Sequence, residues 1–295
     1  MHLSTHNWMR AEPLAKTLAR IKKYGYESIE ISGEPDQYDT KETRQLLKEY
    51  GIRCWGSVTL TLGERNLAAK DTGQRAKSVE YVKNVITMVN ELEGEIITLV
   101  PVTVGKIVPD GTEEEEWRWV VDSVKECYEH AKKKGVRIAL EPLNRFETYL
   151  FNKSSQVVRL AEEIAPDCGV CLDAFHLNIE EADMYEAIRH AGSRLYDFHV
   201  ADNNRMAAGQ GALDWKKIVT TLKEIGYDGA LTNEFVAPVD RTPANRYPNQ
   251  VERNPVDISP EQLKFIQDHG SSLLTEQFYD DLTKVTAETI LPLIK

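Results

Sequence analysis

Lys132-Lys133-Lys134-Gly135-Val136-Arg137-Ile138-Ala139-Leu140-Glu141-Pro142 carries three cations, a glycine, a short apolar run and an acid followed by proline. The cations complement the negative end of a helix dipole, and the glycine suits a left-handed cap. The run from Arg137 to Pro142 reads as a strand buried on both faces, and it delivers Glu141 at its carboxyl end. Working backwards, Glu113 to Glu116 opens the same helix, and Val120, Val124 and Cys127 recur at helical spacing. Both charge runs read as solvated helix ends.

The same alternation recurs along the chain. Strands are expected at Met1 to Ser4, Ser28 to Ser32, Arg53 to Val58, Ile96 to Pro101, Arg137 to Pro142, Gly169 to Ala174, Leu195 to Val200 and Ala230 to Phe235. Amphipathic stretches such as Leu14-Leu18-Ile21 and Val79-Val82-Val85-Ile86-Val89 lie between them, and Gly25, Gly51 and Gly226 stand where Gly135 does, just before a strand. Eight strands, each followed by a helix, is the count that closes an α/β barrel, a single (β/α)₈ TIM barrel. The 295 residues are read as one such domain, 1–295, with a long proline-rich loop at about 236–259, taken as a lid or partner surface, and a C-terminal helical segment at about 260–295.

Composition narrows the function. With 41% hydrophobic and 28% charged residues the chain can bury a large core. A formal net charge of -11 argues against nucleic acid, whose binding draws on Lys and Arg. No apolar run approaches the ~20 residues of a membrane span, and Met1-His2-Leu3-Ser4-Thr5-His6 lacks the pattern of an export signal, so a cytoplasmic protein without a membrane partner is expected. Cys168 and Cys171 form a C-x-x-C that leads into a strand rather than out of one, and they are read as reduced structural thiols. No glycine-rich phosphate loop supports a nucleotide cofactor.

In such barrels the reacting groups sit at the carboxyl ends of the strands. Strands five to eight end in Glu141, Asp173, His199 and Glu234. Three carboxylates converging on one mouth repel one another unless a cation neutralises them. Oxygen ligands with one imidazole suit Mn²⁺, Mg²⁺ or Co²⁺ better than structural zinc. Cys171, deeper on the same inward face, reads as packing. Arg145, Glu147, His176, Asp202 and Arg205 follow the same strands and can hold a small polar ligand, while Asp197 is a candidate to orient the His199 ring.

Glu141-Pro142-Leu143-Asn144-Arg145-Phe146-Glu147, Leu172-Asp173-Ala174-Phe175-His176-Leu177-Asn178-Ile179-Glu180-Glu181, Phe198-His199, Asn204-Arg205 and Gly209-Gln210-Gly211 through Trp215 resemble the xylose-isomerase-like sugar isomerases and epimerases. Within that group they resemble most the ketose 3-epimerases acting on D-tagatose and D-psicose (allulose). The resemblance implies a divalent ion, Mn²⁺ first, on Glu141, Asp173, His199 and Glu234, with Glu147, His176 and Arg205 binding the sugar. It implies Glu141 and Glu234 as the catalytic acids, passing a proton between the two faces of the substrate through an enediolate. It also implies a homo-oligomer.

Two departures stand out: Phe235-Val236 replaces the family's Pro-Phe, and Pro101-Val102-Thr103-Val104-Gly105-Lys106 replaces its tryptophan-bearing segment. They leave room for an alternative, a lyase resembling the large subunit of bacterial C-glycoside deglycosidases. Such an enzyme cleaves 3-oxo-glycosides and works with a small partner subunit. A third reading is a sugar-binding barrel without activity.

Overall fold

The computed structural model describes residues 1–8, 12–236 and 276–295. Its strands are β1 (His2–Thr5), β2 (Ser28–Ser32), β3 (Arg53–Val58), β4 (Ile96–Leu99), β5 (Arg137–Leu140), β6 (Gly169–Asp173), β7 (Leu195–Val200) and β8 (Ala230–Asn233). They form one parallel sheet in the order β1-β8-β7-β6-β5-β4-β3-β2. The two ends of that order meet where His6 bridges Glu30, where Asn7 N donates to Glu30 O at 3.2 Å, and where Glu27 N donates to Leu3 O at 3.0 Å. The expected TIM barrel is therefore present.

Around the sheet run α1 (Leu14–Lys23), α2 (Thr40–Tyr50), α3 (Thr72–Glu91), α4 (Glu113–Lys134), α5 (Ser154–Ile164), α6 (Ala174–Glu180), α7 (Met184–Ala191), α8 (Trp215–Glu224) and α9 (Glu276–Ile294). Helix α4 starts as its sequence predicts. Thr112 Oγ1 accepts from Glu115 N and Glu115 Oε2 accepts from Thr112 N, at 3.2 and 2.9 Å, a reciprocal cap. It stops at Gly135, whose φ of 69° is the left-handed conformation that favours glycine. One residue of the acidic run is not solvated. Glu116 is buried, because its carboxylate accepts from Asp110 N, Gly111 N and the Tyr149 hydroxyl and so ties down the loop after β4.

Four strands, β4, β5, β6 and β8, end one or two residues earlier than the expected runs, and proline accounts for two of them. β4 stops before Pro101 and β5 before Pro142, since proline has no N–H to give the ladder. Glu141 and Glu234 thus lie one residue beyond β5 and β8, still in register: Glu141 N donates to Leu99 O at 3.0 Å and Glu234 N to Val200 O at 2.9 Å.

Side chains alternate between two packing regions. Leu3, Ile29, Ile31, Ile97, Leu99, Ile138, Leu140, Leu172 and Phe198 face the helices and form the main core. Trp55, Ile96, Ala139, Cys171 and Ala230 face the barrel axis and fill its amino-terminal end. The fit there is tight. A Cβ on Gly56 would stand 2.1 Å from Ile96 O, so only glycine is accommodated.

Within the stretch expected as a C-terminal helical segment lies α9, which docks through Tyr26 Oη to Thr283 O at 3.0 Å and Thr286 Oγ1 to Asn233 Oδ1 at 3.1 Å. The expected long loop, apart from Val236, and residues 260–275 lie outside the described residues. Among the described residues no helix is long and apolar enough to cross a membrane.

Candidate active site

The inward face of the barrel changes character along the axis. Above the apolar floor comes a polar layer, Glu30, Thr98, Asp197 and Thr232, all fully buried. Two residues further along the same strands lie His199 above Asp197 and Glu234 above Thr232, with Asp173 above Cys171 and Glu141 above Ala139. Period-two alternation thus delivers the four expected strand-tip groups to one place.

They converge. Glu141, Asp173, His199 and Glu234 each offer a donor atom, all within 4.8 Å of one another and all buried. His199 Nδ1 lies 2.9 Å from Glu141 Oε1 and 3.0 Å from Glu234 Oε2. None of these three atoms has a hydrogen-bond partner. Buried polar atoms are normally satisfied, so three unsatisfied ones aimed at a common point fit a cation. Three carboxylates and one imidazole nitrogen are also the donor set for a hard or borderline divalent ion.

The electrostatics agree. Burial raises Glu141, partly offset by His199. Burial raises Asp173 to about 6; His176 and Arg205 pull it down and Glu234 adds to the rise. Burial works against protonation of His199, yet its acidic neighbours Cys171, Glu141, Glu234 and Asp197 outweigh it and hold the ring well above its ordinary value. The cluster recruits positive charge from protons and from Arg205 when nothing else supplies it.

A pH dependence follows. In chelator-treated protein the folded-state value of Asp173, about 6, lies above its ordinary 3.8, so the unfolded chain releases this proton first as pH rises. Wild type should therefore lose stability relative to Asp173→Asn between about pH 4 and pH 7, by on the order of 2–3 kcal/mol. Urea unfolding of both proteins in EDTA at the two pH values measures it; a constant difference would contradict the placement of Asp173.

The expected substrate-binding groups border the cluster. Arg205 Nη1 lies 2.9 Å from Asp173 Oδ2 and 3.8 Å from Glu234 Oε2, its Nη2 lies 3.6 Å from Glu147 Oε1, and its guanidinium covers the Phe175 ring at 4.4 Å. Arg205 holds φ at 63°, a strained value for a residue with a Cβ, and strain of this kind is concentrated at functional sites. His176 Nδ1 accepts from Asn144 N at 3.2 Å and lies 2.9 Å from Asn144 Nδ2. The remaining proton therefore sits on Nε2, which faces Asp173 Oδ2 at 4.0 Å. The same Asn144 amide donates to Glu147 Oε1 at 2.8 Å. Asn144 was legible only as part of a motif; its role as the clamp between two candidate binding residues was not.

Two other polar groups belong elsewhere. Asp202 accepts from Asn203 N, Gly209 N, Leu213 N and Trp215 Nε1, and so builds the loop after β7. Arg145 is more than half exposed and pairs with Glu180 at 2.8 Å. Cys171 packs in the floor as expected, although its sulfur also lies within 4.8 Å of donor atoms of Glu141 and His199. Burial pushes the Cys168 thiol up to about 12 and Cys171 well above its ordinary value, as inert structural thiols require.

Sequence reading missed two residues. His6, one residue beyond β1, is buried with its ring 4.6 Å from that of His199, edge to face. Glu30, inside β2, lies 3.8 Å from His199 Nε2, and burial together with the Asp197 carboxylate pushes it up to about 8. His6 obeys the strand-tip rule that found the other four. Glu30 is an acid between two isoleucines, which is the signal that was available.

Comparison with known proteins agrees with this architecture. The family described as xylose isomerase-like TIM barrel matches residues 18–269. The chain is 30% identical over 228 residues to D-psicose 3-epimerase of Ruminiclostridium cellulolyticum, covering 74% of this chain and 76% of that protein. It is 30% identical over 222 residues to L-ribulose 3-epimerase of Methylomonas sp., covering 74% and 77%. A crystal structure of D-allulose 3-epimerase from Methylomonas sp. superposes with a TM-score of 0.81 over 99% of this chain and 96% of that one, at 24% identity, which speaks for the fold.

Proposed function

Because the chain belongs to the xylose isomerase-like TIM barrel family and is a sugar isomerase or epimerase by kinship, we propose that it inverts a ketose at carbon 3 with the help of one divalent metal ion. The observation that carries this reading is the buried quartet Glu141, Asp173, His199 and Glu234, with three unsatisfied donor atoms facing one another. These residues would hold the ion, Mn²⁺ by preference, which when bound supplies a Lewis acid for the sugar's carbonyl oxygen and acidifies the neighbouring C–H.

The protein's own groups do the rest. Glu141 and Glu234 reach the cluster from β5 and β8, so the carboxylate of one takes the proton from carbon 3 and that of the other returns a proton to the opposite face. The exchange leaves the number of protons unchanged and reverses one stereocentre. His176 offers its Nε2–H and Arg205 its guanidinium to the sugar's oxygens, and Glu147 its carboxylate to the sugar's hydroxyl hydrogens. Exclusion of water from the buried quartet strengthens each of these contacts. Assembly with further copies of the chain belongs to the same reading; it is supported by Ile107, Val108 and Phe146, which stand exposed on the loops after β4 and β5.

Incubating the pure chain with Mn²⁺ and a panel of ketoses in deuterated water tests the proposal. Deuterium at carbon 3 together with the epimeric sugar is the expected result by NMR. Absence of exchange on every ketose would overturn it. Release of an aglycone from a 3-oxo-glycoside would move the reaction to the lyase class.

A further inference from the structure

Glu30 is a fully buried carboxyl group that the proposed proton transfer does not use. Its Oε1 accepts from Thr232 Oγ1 at 2.5 Å. Its Oε2 has no hydrogen-bond partner, although His199 Nε2 lies 3.8 Å away and His6 Nδ1 3.7 Å away. A buried acceptor left unsatisfied is costly, so an acid at this depth calls for a donor that the working site provides.

The chemistry of His199 provides one. Its Nδ1 faces Glu141 and Glu234, and a cation held there would take the Nδ1 lone pair. The ring proton must then sit on Nε2, deep in the barrel, where Asp197 Oδ2 at 3.4 Å and Glu30 Oε2 at 3.8 Å are the protein acceptors in reach. Asp197 is already heavily engaged: Oδ1 accepts from Phe198 N at 2.9 Å and Trp55 Nε1 at 3.3 Å, and Oδ2 from Thr98 Oγ1 at 3.3 Å. Glu30 Oε2 is the open acceptor.

We propose that Glu30 is a positioning residue of the metal centre: it accepts the Nε2–H of His199, beside Asp197, and keeps Nδ1 turned toward the ion. The inference rests on His199 being a metal ligand. His6, packed edge-on against the imidazole with an interplanar angle of 89°, blocks the ring from swinging away on the other side.

Calorimetric titration of chelator-treated protein with Mn²⁺ separates this role from general support of the fold. Glu30→Gln and Glu30→Ala are expected to weaken Mn²⁺ binding roughly 10–100-fold, the usual effect of removing a residue that orients a ligand. Glu12→Gln is the control. It removes another buried acid, one paired with Arg20 at 2.5 Å, and should leave Mn²⁺ affinity unchanged. Nitrogen-15 histidine spectra of the wild type loaded with diamagnetic Zn²⁺ give a second readout that needs no variant. A slowly exchanging Nε2–H on His199 is expected, and an unprotonated Nε2 would overturn the proposal even if the variants failed to fold. Wild-type affinity in both Glu30 variants would overturn it equally. A wild-type chain that bound no Mn²⁺ at all would instead remove the metal reading, and this inference with it.

Discussion

Glu234→Gln is expected to lower kcat by at least ~10³-fold, near the upper part of the ~10²–10⁴ range for loss of a general acid–base group, because it removes a metal ligand at the same time. Glutamine matches the shape of glutamate but neither accepts a proton usefully nor carries the charge. Glu234 Oε2 lies 3.0 Å from His199 Nδ1 and 3.8 Å from the Arg205 guanidinium, and it has no hydrogen bond to lose. The metal-free variant should therefore fold as well as the wild type, since one negative charge leaves a crowded acidic cluster. Glu141→Gln should behave alike, with Glu141 Oε1 in the matching position 2.9 Å from the same nitrogen. Steady-state kinetics and a urea melt of each variant check both halves. Activity within about tenfold of wild type would remove these two acids from the proposed proton transfer.

Stripping the ion with EDTA is expected to abolish turnover and to destabilise the protein, with both effects reversed by Mn²⁺. A ligand that binds only the folded chain at about a hundred times its Kd stabilises by ~2.7 kcal/mol. For a chain of this length that corresponds to a rise in Tm of roughly 5 °C. The sign follows from the site itself: without a cation, Glu141, Asp173 and Glu234 face one another within 4.8 Å, relieved by Arg205 and by protons taken up from solvent. Asp173→Asn and His199→Ala should lose the Mn²⁺-dependent shift. A melting curve of wild type indifferent to Mn²⁺ and EDTA would contradict the ligand assignment.

Much of the architecture was legible because it is written locally. Each strand is a short apolar run, each helix repeats at its own period, and Glu141, Asp173, His199 and Glu234 close four successive runs. Glu30 carried one signal, an acid between two isoleucines, but its place beside His199 was not legible, for a geometric reason. Ser28-Ile29-Glu30-Ile31-Ser32 alternates like a strand with one wet face, and only the closure of the sheet turns that second face into the barrel interior. Glu116 illustrates the opposite failure: the helix-dipole argument places it correctly at the start of α4, but the loop that folds back to donate Asp110 N and Gly111 N is a tertiary fact. Asp202 follows a strand tip as a ligand would, yet the donors of its own loop claim both oxygens. Where a polar side chain ends up depends on which neighbours arrive with hydrogen bonds to spare.

The layer of Trp55, Ile96, Ala139, Cys171 and Ala230 makes the barrel a blind-ended well. Reactant and product must then enter and leave by a single portal, one at a time, so each epimer excludes the other from the same seat. For two sugars differing at one carbon this makes mutual competition intrinsic.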